Sequence, residues 1–232
     1  MRSAYSVGCG QYVIRNTNTH TMPTLEQARA YYAAADPVHD FDHILRVLAL
    51  AERVGRAEGA DMEILRAAVL LHDASGAAPG DGNGRAAHHH ASAEVAREVL
   101  RGEGWPEDRV EAALHCIRAH RFRGDEPPHS LEAKILFDCD KLDVLGAIGV
   151  ARAMAYAALA GQPLTGEPSE RFKTTGEKEV DEPHTPSHEF LFKLSRIKDR
   201  LHTPAARAIA AERHRYLAEY FERLALEVKG EA

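Results

Sequence analysis

The chain has 232 residues, 44% of them hydrophobic, and a formal net charge of −6. That length holds one large domain or two small ones, and that apolar fraction builds an ordinary core. The acidic balance excludes a general nucleic-acid binder, which carries a basic face, yet leaves room for a small anionic substrate held by local Lys and Arg. Three cysteines, Cys9, Cys116 and Cys139, make no paired framework. Cys116 and Cys139 lie in apolar helical patterns and read as buried thiols in a reducing cytosol. No apolar run reaches the length of a membrane span and no apolar signal core opens the chain, so a cytoplasmic protein without a membrane partner is expected.

Residues 1–22 lack helical periodicity and read as a disordered or weakly docked arm, with Met22 an alternative start; residues 23–232 read as one domain. Thr24 caps an expected helix over Leu25–Ala34, stopped by Asp36-Pro37. The next runs from Asp42 to Glu58 and ends at Gly59. His43 falls on its inward stripe with Val47, Leu50 and Val54. Asp61 caps a helix over Met62–His72 that is apolar all round, the mark of a central buried element. Ala74–Arg85 is a Gly- and Pro-rich loop. His88-His89-His90 stands before a helix over Ala91–Arg101. Pro106 opens another, ending near His120. Ser130 caps a helix that delivers Asp140, and its pattern continues to Ala160. Gly161–Pro186 is a long loop, of functional or disordered character. A helix over Ser187–Leu201 and a last one from Thr203-Pro204 to about Glu227 complete the chain. No convincing strand alternation occurs, so the fold class is all-α.

The chemistry centres on Leu70-Leu71-His72-Asp73. A histidine and an aspartate sit together where a buried helix stops, and neither is stable buried without a partner. A divalent cation suits both. Adjacent helical residues point about 100° apart, so a shared ion demands a helix end or a bent approach. His43 upstream and Asp140 downstream can complete the set.

Three motifs carry a family resemblance: Asp42-His43-Ile44-x-Arg46-Val47, then Leu70-Leu71-His72-Asp73, then Glu132-Ala133-Lys134-Ile135-Leu136-x-Asp138-x-Asp140-Lys141-Leu142-Asp143. With the run Leu145-Gly146-Ala147-Ile148-Gly149-x-Ala151-Arg152, the chain resembles the HD-domain metal-dependent phosphohydrolases, in particular small stand-alone bacterial members. The resemblance implies an all-helical fold, a divalent metal and hydrolysis of phosphoester or phosphoanhydride bonds. It makes His43, His72, Asp73 and Asp140 the metal ligands. Asp140 is preferred to Asp138 because it directly precedes Lys141-Leu142. Mixed N/O ligation suits Mn²⁺, Mg²⁺, Fe²⁺, Co²⁺ or Zn²⁺ without choosing among them.

Further site residues are expected around this set. His120 matches a position where the family often has histidine. Members with two metals add two histidines, and here His88, His89 or His90 could be the second. The Gly-Tyr-Pro signature of the cyclic-dinucleotide phosphodiesterases is missing. Lys141 is the best candidate for a catalytic phosphate contact, with Arg121, Lys193, Arg207 and Arg213 as further phosphate binders. Asp73 itself, Asp42 or His39 could serve as acid or base, and Arg46 reads as a partner for a nearby carboxylate. The expected activity is attack of a metal-activated water on a small phosphorylated substrate, a nucleotide above all. Two alternatives remain: a two-metal, di-iron oxygenase, which needs both extra histidines, and a non-catalytic nucleotide-binding module, which retention of all four ligands disfavours. A homodimer is compatible with the sequence.

Overall fold

The structure, a computed structural model, describes residues 21–32, 41–75, 84–121 and 126–232. Of the arm expected over residues 1–22, residues 1–20 lie outside the described residues, as does His39, while the Thr21 N–H donates to the Glu103 carbonyl at 3.1 Å. Among the described residues there are ten α-helices, one 3-10 helix and no strand, as the periodicity requires. The first six are α1 (Leu25–Ala30), α2 (Phe41–Glu58), α3 (Met62–Leu71), α4 (Gly84–Gly102), α5 (Glu107–Ala119) and α6 (Leu131–Leu142). The remainder are α7 (Gly146–Leu159), α8 (Glu170–Thr175), α9 (Pro186–Phe192), the 3-10 helix Leu194–Arg200 and α10 (Pro204–Lys229). No single described helix is long and apolar enough to cross a membrane.

α3 is the axis of the core. Leu65 and every residue from Ala67 to Leu71 are buried, and the helix packs against α1, α2, α4, α5 and α6. Its start is fixed by Asp61, whose carboxylate accepts from the Glu63 and Ile64 N–H groups at 3.0 and 3.2 Å and holds Arg109 of α5. Such a cap satisfies donors that a helix leaves open. The other end is tied by Tyr32, two residues past α1, whose hydroxyl donates to the Leu70 carbonyl at 3.0 Å. With both ends held, the His72-Asp73 turn has a fixed position.

Four local expectations need correction. α4 begins at Gly84 rather than Ala91, so the three histidines lie inside the helix. Its core line repeats every four residues: Ser92, Ala96 and Leu100 are buried, and His88 sits one turn earlier. The pattern expected to run unbroken through Ala160 divides instead into α6 and α7, which meet at a 64° bend. Gly146, at φ +70°, makes the turn, and at Gly149 a Cβ would lie 2.3 Å from the Val144 carbonyl oxygen. Apolar periodicity passes through such a joint, and only the glycines reveal it. The helix expected over Ser187–Leu201 breaks at Lys193 (φ −120°) into α9 and the 3-10 helix. There the Ser195 hydroxyl donates to the Leu191 carbonyl at 2.9 Å, a local bond that competes with the helical ladder. The long loop contains α8, capped by Ser169 and ended by Gly176.

The C-terminal helix is positioned by Asp138. Its buried carboxylate accepts from the His202 and Thr203 N–H groups, each at 2.8 Å, and from the Thr203 hydroxyl at 2.7 Å. Thr203 is the N-cap residue of α10 and Pro204 opens the helix, as the sequence suggested, but the Thr203 hydroxyl goes to Asp138 and not to an N–H of α10. Asp138→Ala would strand these donors and should lower unfolding free energy by about 2–4 kcal/mol. Urea denaturation checks it, and an unchanged midpoint would show that α10 is held elsewhere.

Candidate metal centre

Four imidazoles line up across the middle of the molecule. The ring of His72 stands 5.5 Å from that of His43 and 5.0 Å from that of His120, which is 5.5 Å from that of His88. Asp73 lies among them. The ligand atoms of His43, His72 and Asp73 fall within 4.8 Å of one another, and so do those of Asp73, His88 and His120. Asp140 joins through His43, its Oδ1 standing 3.4 Å from Nε2.

The hydrogen bonds around these rings decide what the cluster needs. His72 Nδ1 donates to the Val69 carbonyl at 2.8 Å, and His120 Nδ1 to the Ile117 carbonyl at 2.6 Å. A carbonyl only accepts, so in each neutral ring the proton is on Nδ1 and Nε2 presents a lone pair. His72 Nε2 stands 3.5 Å from Asp73 Oδ2, and His120 Nε2 stands 3.6 Å from Asp73 Oδ1. Acceptors thus face acceptors. Buried His72 Nε2 and Asp73 Oδ1 make no hydrogen bond. Burial pushes the His120 pKa down to about 3, which keeps that ring neutral. A cation at the meeting point would satisfy all of these atoms, and the donor set fits a divalent ion of mixed N/O preference.

His43 is held from behind. Its Nδ1 donates to Asp143 Oδ2 at 2.8 Å. Arg46 grips the same carboxylate with Nε at 2.8 Å and Nη2 at 3.0 Å, and Arg152 approaches it at 3.1 Å. Burial works against a charge on His43, but Asp140 and Asp143 outweigh it and hold its pKa up at about 9. A carboxylate behind a ligating imidazole fixes the tautomer and turns Nε2 towards the ion. The bend between α6 and α7 makes this possible, because Asp143 ends α6 and Arg152 lies in the second turn of α7.

Of the remaining expected residues, some converge on the cluster and others do not. Lys141 pairs with Asp140 and lies 5.4 Å from the Phe137 ring centre, rather than on Asp138 or Asp143. His88 is the member of the triplet that reaches Asp73, at 3.4 Å. His89 is buried beside it and His90 is exposed. Arg46 finds its carboxylate in Asp143, as expected. Arg121 directly follows His120. Asp42 is exposed on the first turn of α2. Lys193 pairs with Glu189 at 2.6 Å. Arg207 donates to the Leu201 carbonyl at 2.8 Å and Arg213 to the Leu142 carbonyl at 2.7 Å, so both serve helix ends. Sequence reasoning gave no role to Asp143 behind His43, or to Arg152. The spacing held a signal for Asp143: it stands three residues after Asp140, on the same side of the helix.

The chain is similar to known proteins over most of its length. A family model described as HD domain matches residues 40–145, a span containing His43, His72, Asp73 and Asp140. The Bacillus subtilis (strain 168) protein YpgQ is 31% identical over 196 residues, covering 83% of this chain and 85% of its own. The crystal structure of Bacillus subtilis YpgQ in complex with ADP superposes with a TM-score of 0.67 at 28% identity, covering 88% of this chain and 94% of that one. An HD-superfamily hydrolase from Bacillus thuringiensis superposes with a TM-score of 0.66 at 26% identity, with the same two coverages of 88% and 94%.

If Asp143 orients His43, then Asp143→Asn should weaken metal affinity by roughly 10- to 100-fold. The helical circular-dichroism signal should persist. Equilibrium dialysis against Mn²⁺, with the spectrum of the same sample, tests this. Unaltered affinity would reduce Asp143 to a partner for Arg46.

Proposed function

The chain belongs to the HD-domain family, and from that membership we propose that it is a metal-dependent phosphohydrolase acting on a small phosphorylated compound, a nucleotide in particular. One observation carries the reading: buried His72 Nε2 and Asp73 Oδ1 make no hydrogen bond, His120 Nε2 faces the same carboxylate at 3.6 Å, and His43 and Asp140 stand beside them. His43, His72, Asp73 and Asp140 would hold the ion. A divalent cation there acidifies a water and offsets charge on a phosphate oxygen. Nucleotide as the substrate class draws support from the ADP complex of YpgQ.

The chain's own residues supply the rest. Lys141 is the nearest ammonium, and it rests on Asp140. With a cation held by that carboxylate, the Lys141 ammonium would be available to a phosphate oxygen. Arg121 is a second phosphate contact. Neutral His120 directs a lone pair into the centre and can accept a proton or complete a ligand set. Because Asp73, His88 and His120 also converge, a second reading has two cations sharing Asp73, the arrangement a di-iron oxygenase would need. Metal counting on anaerobically purified protein separates the two, since a single ion per chain rejects the second.

A phosphate-release screen of a nucleotide panel with Mn²⁺, Mg²⁺, Fe²⁺, Co²⁺ and Zn²⁺ tests the activity. His72→Ala should lose bound metal and turnover together. Lys141→Ala should keep the metal and lose on the order of 10- to 100-fold in kcat/KM, the equivalent of one charge-assisted contact. Full turnover by metal-free His72→Ala protein would end the metal reading. Unchanged kcat/KM in fully loaded Lys141→Ala protein would remove Lys141 from the phosphate site.

A further inference from the structure

The inward stripe of α10 outruns the fold it packs on. Leu217, Phe221, Leu224 and Val228 follow one another at helical spacing. The first two are buried, Leu224 is half-buried, and Val228 is 56% exposed. The apolar line therefore continues past the point where this chain covers it. Beside the last two turns lies a groove of about 330 Å³. Glu222, Ala225, Val228 and Lys229 of α10 form one wall, and Phe190 and Leu191 of α9 lie on the other. Leu191 is 39% exposed, and Leu226, on the outer side of the same α10 turn, 43%.

The charges on the α10 wall are placed unevenly. Glu222 stands at one end and Lys229 at the other, with Ala225 between them. Ala225 is three residues after Glu222 and four before Lys229, about 4.5 and 6 Å along the axis, and the three side chains span about 60° of the helix. Glu222 has no ionic partner among the described residues. Lys229 stands loosely beside Glu167 at 3.6 Å, and Lys173 already holds that carboxylate at 2.9 Å. The wall thus presents one anion and one cation on either side of a small residue.

That pattern selects the occupant. A partner of uniform charge, an anionic membrane surface included, meets its own sign at one end of the wall. A small ligand inside the groove leaves Leu226 wet. A two-fold rotation through Ala225 exchanges the two ends, so the wall is its own complement, the condition that an isologous interface must meet. We propose that this face of α10 is a dimer interface with a second copy of the chain. The two C-terminal helices pair antiparallel across Ala225, whose small side chain lets the axes approach. Val228 and Leu191 are covered, and Glu222 pairs with the partner's Lys229. The apolar contact drives association, and the charged pairs fix register and orientation.

Charge reversal tests the register. Glu222→Lys sets two cations against each other at both contacts, and Lys229→Glu sets two anions. Sedimentation equilibrium of the full chain at concentrations up to the order of 100 µM should find a wild-type dimer. Each single reversal should raise the dimer Kd roughly tenfold or more, with the helical circular-dichroism signal retained. An equimolar mixture of the two variants should recover the dimer, because every contact is again between opposite charges. Val228→Asp, at an exposed position that the monomer tolerates, should also raise the dimer Kd roughly tenfold or more. The proposal is overturned if the wild type stays monomeric over this range, whatever else then fills the groove. It is also overturned if either reversal or Val228→Asp dimerises as wild type does, or if the mixture associates no better than its components.

Discussion

Everything at the centre depends on where two ring protons sit. His72 and His120 each follow the last residue of a buried helix, and each turns Nδ1 back onto the carbonyl three residues earlier. Those carbonyls belong to the unsatisfied set that every helix end leaves behind. One bond therefore does two jobs. It closes the helix, and it commits the opposite nitrogen to being an acceptor. Both acceptors point at Asp73, itself an acceptor, so the folded chain creates a demand for a cation from helix termination alone.

α6 then distributes three aspartates to three tasks. Asp138 faces α10 and holds the Thr203 corner. Asp140 turns to His43 and the metal centre. Asp143, at the helix end, stands behind His43 and gathers Arg46 and Arg152. A step of two residues rotates a side chain to nearly the opposite face, and a step of three returns it almost to the start. That arithmetic separates Asp138 from Asp140 and keeps Asp143 near Asp140. An Asp on a buried helix is costly unless partnered, and each of these has partners of its own.

The sequence displayed the helices and the inward stripes clearly, because burial imposes a period on the apolar residues. His43 and Asp140 were legible for that reason: each interrupts a stripe that should be apolar. The bend at Gly146 was hidden, since hydrophobic spacing continues across it and only the backbone turns. Arg152 was hidden with it, because its contact with Asp143 exists only after the bend. His88 was obscured by its neighbours. In a run of three histidines the composition is uniform, and the choice is made by the four-residue line through Ser92, Ala96 and Leu100, which becomes visible once α4 is known to start at Gly84. Lys141 could be placed near the centre by adjacency, but its pairing with Asp140 required the rotamer that the Phe137 ring and the helix end allow.

The family match ends at residue 145, one residue before the left-handed glycine that starts α7. All four presumed ligands fall before that point. Arg152 falls after it. At Gly149 a Cβ would lie 2.3 Å from the Val144 carbonyl oxygen, so glycine is what lets the start of α7 fold this close to the end of α6. Arg213 of α10 fastens the same corner through the Leu142 carbonyl. Arg152 reaches back across the bend to Asp143, so α7 braces the carboxylate that stands behind His43.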